Sequence, residues 1–265
     1  MTSTEILAPG IVKFSSCFSL SQSQIDDLAR LREEAFNQAY DFIFDEDGNL
    51  LYGVNESHHI FPADCIFSVH TTIGNGVEKQ LLQTVDSAIY DCLLNYLTIY
   101  PDALQSIWWR TVGHVAAYPE GTSLSVHSDN DVNYRPGTRP QDQAAVQHAL
   151  SCSALLNDNF EGGAFAFEYY DLELQLSAGD ILLFPSNFLG AHEVKEITKG
   201  TRFSYVTWFG QGSPDPTKNI NPQYPSDPTD RPGQIWMDQL FADFHSKVLS
   251  NDGLSNRIFN RAKDH

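Results

Sequence analysis

The stretch "DILLFPSNFLGAHEVKEITKGTRFSYVTWF", Asp180–Phe209, decides the fold. Three short runs, DILLFP, AHEVKEI and RFSYVTWF, are cut apart by Pro-Ser-Asn and Thr-Lys-Gly, and each has strand length rather than helix length. The same texture extends back to Arg110. TVGHVAAY, SLSVH, ALSCSALLN, GAFAFE and LELQL are further apolar or alternating runs between Gly, Pro, Asn and Asp. Eight short strands at this spacing predict a barrel or a two-sheet sandwich. The polar stretch NDVNYRPGTRPQDQAAVQ interrupts them as a long surface loop.

The flanks read differently. SLSQSQIDDLARLREEAFNQAYDFI opens on serines suited to N-capping and spaces Ile25, Leu28, Leu31, Ala35 and Ala39 for one helical face. VEKQLLQTVDSAIYDCLLNYLTIY repeats that pattern and predicts a second long helix ending near Pro101. Between them FIFDEDGNLLYGV alternates around Asp-Gly and predicts a hairpin. Asp45, Asp47, Asn49 and Glu56 fall at four EF-hand ligand positions, but Leu50 stands where that loop needs glycine, so calcium binding is not expected. After Gly210 a proline-rich stretch leads to a closing helix over GQIWMDQLFADFHSKVL. The chain divides into 1–109 (helices and hairpin packing on the core), 110–210 (the β core) and 211–265 (linker and helix), within one structural domain.

Composition narrows the function classes. The 265 residues can bury a sizeable core, and 34 acidic against 16 basic residues give a net charge of −18. Such a field repels phosphate backbones and anionic lipid, so neither nucleic acid nor membrane is an expected partner. Cys17, Cys65, Cys92 and Cys152 are scattered without a C-x-x-C pair, no apolar segment has membrane-spanning length, and MTSTEILAPG lacks the blocks of a signal peptide. A cytoplasmic, thiol-reduced protein is expected, and the sequon at Asn55–Ser57 is read as chance.

His127 and Asp129 are two residues apart at a strand end running into a turn, so both can aim at one point. His192, after the PSNFLG turn, starts a later strand that can return beside them once the sheet curls. Two imidazoles and one carboxylate on one face of an octahedral iron leave three adjacent positions open. A structural zinc site would instead fill four positions. Ten residues on, Arg202 and Ser204 share one strand face, and a guanidinium backed by a hydroxyl grips a carboxylate through two parallel hydrogen bonds. An acidic cosubstrate is implied.

His127-Ser128-Asp129, His192 and Arg202-Phe203-Ser204 together resemble the iron(II)- and 2-oxoglutarate-dependent dioxygenases, whose pattern is H-x-D, a distal H, and R-x-S. AAYPEGTSLSVHSDN, LLNDNFEGGAFAF, LSAGDILLFPS and AHEVKEITKGTRFSYVTWF are similar, in order and spacing, to the prolyl-hydroxylase-like branch. The likeness covers about residues 110–210. It implies a mainly β fold with flanking helices around a double-stranded β-helix, the jelly-roll or cupin-like core. It also implies Fe(II) held by His127, Asp129 and His192, 2-oxoglutarate on Arg202 and Ser204 beside Tyr118, and O2 as oxidant, with ascorbate a candidate reductant. Two departures stand out: Leu155 or Ala154 replaces an aromatic that relatives carry, with Ser153 a substitute hydrogen-bonding group, and Val206 replaces a threonine.

The reaction so implied is oxidation, by default hydroxylation, of a C–H bond, with the oxygen molecule split between 2-oxoglutarate and substrate. Ala116, Leu155, Phe165 and Phe184 would line the pocket and exclude water. A small molecule or amino-acid-derived metabolite is the preferred substrate. A prolyl-type peptide hydroxylase and a non-catalytic jelly-roll metal or ligand binder are the alternatives, and a homo-oligomer is compatible with any of them. His114, on the strand face of Tyr118, and Asn130, Tyr134 and Arg135, directly after the H-x-D, are the candidate substrate contacts. His58, His59, His70, His148, His245 and His265 are read as ordinary structural histidines, and the four tryptophans as core or interface aromatics.

Overall fold

The computed structural model describes residues 3–38, 41–44, 50–54, 58–61, 66–70, 77–111, 113–129, 146–212 and 234–251. In chain order the elements are β1 (Ser3–Ala8), β2 (Ile11–Ser15), α1 (Gln22–Gln38), β3 (Asp41–Phe44), β4 (Leu50–Val54), β5 (His58–Phe61), β6 (Ile66–His70) and α2 (Val77–Ile99). There follow β7 (Trp109–Thr111), β8 (His114–Pro119), β9 (Leu124–His127), β10 (Val146–Leu155), β11 (Phe160–Gly162), β12 (Phe165–Phe167) and β13 (Leu172–Leu174). The chain continues with β14 (Ile181–Pro185), β15 (His192–Val194), β16 (Ile197–Gly212), β17 (Gln234–Trp236) and α3 (Leu240–Leu249).

Among the described residues all strand pairings are antiparallel and fall into two sheets. The larger runs β1-β2-β14-β10-β16-β8-β6-β5-β4-β3, with β7 and β11 also paired to β16 and β17 paired to β7; the smaller runs β13-β12-β15-β9. Alternation along each strand divides the apolar side chains between two cores. Val115, Ala117, Cys152, Ala154, Ile181, Leu183, Phe203 and Tyr205 meet the helices, burying Leu28 of α1, Val85, Ile89, Leu93 and Leu97 of α2, and Phe244 of α3. Their neighbours Ala116, Tyr118, Leu182 and Phe184 face Phe165, Phe167 and Val194 of the smaller sheet. Each fully buried side chain of this kind contributes roughly 1.5–3 kcal/mol, so burial on the sheet outweighs helix propensity in placing α2. Two facing antiparallel sheets with helices outside one of them make a mainly β, jelly-roll double-stranded β-helix.

All eight strands expected between Arg110 and Phe209 are present, as are both long helices and the β3–β4 hairpin. Helix α1 begins on a reciprocal cap: the Gln24 amide donates to Ser21 Oγ, and the Ser21 amide donates to Gln24 Oε1 at 2.9 Å. It ends at Gln38, and Phe42 and Ile43, expected in its last turn, belong to β3. The closing helix is also shorter than expected. Gln234–Trp236 pairs with β7 instead, because β7 offers it an open edge, and the helix starts at Leu240. The sequence reading left β1, β2, β5 and β6 out, yet β2 extends the sheet beside β14 and β6 extends it beside β8. The EF-hand-like loop residues Asp45, Asp47, Asn49 and Glu56, the Asn55 sequon, the loop 130–145 and the proline-rich stretch lie outside the described residues.

Candidate metal centre

The smaller sheet brings the three proposed ligands together. His127 ends β9 and His192 begins β15, and the two are direct partners in the antiparallel ladder. Their rings lie 4.4 Å apart between centroids, and with Asp129, in the turn after β9, the three offer ligand atoms all within 4.8 Å of one another. A jelly roll achieves this because residues far apart in sequence become cross-strand neighbours.

Each imidazole is fixed in orientation by the backbone just before it. His127 Nδ1 donates to the Ser125 carbonyl and His192 Nδ1 to the Gly190 carbonyl, both at 2.9 Å. The remaining nitrogen, Nε2, is thereby the basic one, with a lone pair available to a cation. The Gly190 carbonyl is set by the turn that precedes it. Asn187 caps that turn by accepting from the Leu189 amide at 3.0 Å, and a Cβ at Gly190 would come within 1.8 Å of the Pro185 carbonyl oxygen. Only glycine fits there. Phe165 stacks on His192 with ring centroids 4.8 Å apart and planes at 8°, and Phe184 meets the same ring edge-on at 4.8 Å.

Electrostatics favour a cation between these groups. Burial alone would raise the Asp129 carboxyl, but hydrogen bonding to the His127 ring, the nearby His192 ring and hydrogen bonds from Ser151 and Trp208 overcome it and hold the group well below the usual carboxylate range. Burial lowers His192, with Asp129 opposing, so that imidazole stays neutral as a ligand must. The His127 Nε2 to Asp129 Oδ1 distance is 3.4 Å.

Asp129 is gripped from behind by groups that the sequence reading did not select. His148 Nδ1 donates to the Asp129 carbonyl at 3.0 Å, its ring stacks on Trp208 (5.2 Å, 12°), and Trp109 closes its other side at 5.8 Å. His148 therefore holds the turn that carries Asp129. Register carried the signal: Ser151 pairs with Trp208, so both point to the metal side of the sheet. We expect His148→Phe, which keeps the aromatic stack and removes the donor, to weaken divalent-metal affinity about 10-fold. His148→Asn, whose amide can replace Nδ1–H, should recover most of it in titration calorimetry.

Arg202 lies on β16, whose Ser204 and Arg202 face inward between the sheets. It is 1% exposed, and Nη1 donates to Ser204 Oγ. Nη2 is buried without a hydrogen-bond partner among the described residues. Its Cζ lies 5.5 Å from the centre of the Tyr118 ring, which is the cross-strand partner of Arg202. Burial lowers the guanidinium to about 10, the nearby Tyr118 opposing, so it remains a cation at neutral pH. A buried cation with an unused donor is costly unless an anion completes it, and a carboxylate of an acidic cosubstrate has the required shape.

Two more residues support that cation. Buried Asn157 fastens β16 on both sides of Arg202, donating to the Thr201 carbonyl at 2.8 Å and accepting from the Phe203 amide at 2.8 Å. Gly163, at φ +65°, leaves the space that a Cβ would deny to Ile197 and to Arg202 Cδ. Ser153, Leu155 and Ala116 lie on the same inward face by register, consistent with the expected apolar lining. His114 shares the Tyr118 face, and its ring lies 5.4 Å from Trp208. Asn130, Tyr134 and Arg135 lie outside the described residues.

The donor set of two imidazoles and a carboxylate fits iron(II), and the unpartnered Arg202 donor fits 2-oxoglutarate. A PKHD-type hydroxylase of Acinetobacter baumannii is 40% identical over 121 residues, which cover 40% of this chain and 51% of that protein. A second, from Acinetobacter baylyi, is 33% identical over 131 residues, covering 43% and 55%. The chain thus spans about half the length of the curated relatives it matches. Among solved structures, a Trichoplax adhaerens prolyl hydroxylase in complex with a hypoxia inducible factor peptide fragment is similar at 18% identity and a TM-score of 0.49, covering 79% of this chain and 86% of that one. Residues 113–210, which contain the whole constellation from His114 to Ser204, match the family model of the 2OG-Fe(II) oxygenase superfamily, whose members use iron(II), 2-oxoglutarate and dioxygen.

Proposed function

We propose that this chain is an iron(II)- and 2-oxoglutarate-dependent dioxygenase, an oxidoreductase, that hydroxylates a C–H bond of a small, amino-acid-derived molecule. Buried Arg202 with its unused Nη2, on the strand that faces the His127, Asp129 and His192 cluster, is the observation that carries this reading. A protein that only held a metal would have no use for a desolvated carboxylate clamp.

In this reading His127, Asp129 and His192 hold iron(II), whose chemistry when bound is activation of dioxygen at the expense of 2-oxoglutarate. Arg202 and Ser204 take the far carboxylate of 2-oxoglutarate, and Tyr118 packs along it. Phe165 and Phe184 keep water from the His192 side, which protects the reaction from unproductive hydrolysis or reduction. Trp208 and Ser151 hold the Asp129 carboxylate so that it stays ionised and aimed. His114 forms part of the substrate wall beside Trp208.

A peptide substrate is the second reading. The His127 side chain is 31% exposed among the described residues, so the centre reaches the surface on that side, where a loop of a larger partner could approach. Succinate release, measured with a panel of amino acids and their derivatives and with proline-containing peptides, separates the two. Turnover with a free amino-acid derivative supports the first reading, and turnover with peptide alone overturns it. If neither panel nor 2-oxoglutarate alone yields succinate from iron-loaded protein, the oxygenase reading itself fails.

A further inference from the structure

Two thiols meet on the helical side of the larger sheet, on the opposite face from the metal cluster. Cys17 follows the end of β2, where its amide donates to the Gly179 carbonyl at 2.9 Å and the preceding Ser16 amide donates to Asp180 Oδ1 at 3.2 Å. Ser16 itself sits at φ 56°, a left-handed conformation that side chains rarely adopt without such support. Cys92, on α2, is 3% exposed and belongs to the helical core against which Cys17 packs. The Cys92 thiol points at Cys17, with the two sulfur atoms 3.5 Å apart. Sequence separation hides this pair, since its members are 75 positions apart.

We propose that Cys17 and Cys92 form a dithiol modification site, which low-molecular-weight disulfides of the oxidised-glutathione class convert into an intramolecular disulfide. The geometry is close to what the bond requires, because the sulfurs need approach by only about 1.5 Å to reach bonding distance. Access and reactivity divide the roles. Cys17 is the partly exposed thiol, and the hydrogen bond from Cys92 holds it below the ordinary thiol range. The same bond, with burial, keeps the proton on Cys92. The Cys17 thiolate therefore attacks one sulfur of the small disulfide, forming a mixed disulfide and releasing one thiolate. The Cys92 sulfur then attacks the Cys17 sulfur, its proton passing to the second departing thiolate. The protein loses two hydrogens, and one small disulfide becomes two thiols. The new bond fastens the end of β2, which pairs with β14 in the larger sheet, to α2.

The test uses the full chain, freed of reductant and incubated with oxidised glutathione. Intact mass should fall by two hydrogens with no glutathione retained, and a non-reducing peptide map should join the Cys17 peptide to the Cys92 peptide. The thermal midpoint should rise by roughly 5–10 °C, as expected for closing a loop of this length, and dithiothreitol should reverse it. Cys65→Ser should bridge as wild type does, and Cys17→Ser should not. A lasting glutathione adduct on Cys17 with Cys92 free, a bridge that includes Cys65, or an unmodified wild-type chain would each overturn the proposal. The wild-type map decides even if a variant folds poorly.

Discussion

Arg202→Met is expected to raise the 2-oxoglutarate concentration needed for half-maximal turnover by between about 30- and 1,000-fold, which is the loss anticipated when one partner of a buried charge pair is removed. Metal affinity should be unchanged, since Arg202 does not belong to the ligand cluster. The same substitution has an opposite effect on stability. Without an anion, Arg202 is a desolvated cation with one donor unused, whereas methionine fills a similar volume with no charge to desolvate. The cosubstrate-free variant should therefore melt no lower than wild type, and addition of 2-oxoglutarate should raise the midpoint of wild type only. Because the guanidinium is lowered to about 10 and no further, cosubstrate affinity should stay level through neutral pH and fall only as pH approaches that value. A loss of affinity already complete near pH 8 would show that another group grips the anion.

His192→Ala should have the larger effect on turnover. Removing one of three protein donors leaves two, and activity should drop below detection while divalent-metal affinity falls at least 100-fold. Folding is a separate matter, because His192 is also buried against Phe165 and Phe184. His192→Gln, which keeps more of that volume, is the companion variant. Circular dichroism matching wild type, together with absent metal binding in calorimetry, would assign the loss to coordination. Retained high-affinity metal binding in a folded His192 variant would remove that residue from the ligand set.

Much of this was legible in the sequence for a physical reason. The strands of the β core are short and bounded by turn residues, so periodicity finds them, and residues two apart on a strand share a face, so His127 with Asp129 and Arg202 with Ser204 can be paired by inspection. His192 was selected from its place after the PSNFLG turn, and the resemblance strengthened that choice, because nothing local says which later strand returns beside β9. What stayed hidden depends on register and on contact between distant segments. His148 and Trp208 look like any histidine and tryptophan until β10 and β16 are aligned, when both fall behind Asp129. Asn157 is only the last residue of the run ALSCSALLN in the sequence, yet it fastens the backbone on either side of Arg202. Of the missed strands β1, β2, β5 and β6, β2 and β6 are only five residues long and join the sheet through β14 and β8, which lie far along the chain. Cys17 and Cys92 were counted as scattered thiols, which is true of the sequence and not of the fold.

The most direct measurement is anaerobic absorption spectroscopy of the purified chain titrated with iron(II) and then with 2-oxoglutarate. A visible charge-transfer band should appear only when both are present, persist in Arg202→Met at higher 2-oxoglutarate, and vanish in His127→Ala, Asp129→Ala and His192→Ala. A band that survives loss of any of those three side chains, or none in the wild-type chain, would contradict the assignment of iron and cosubstrate to this cluster.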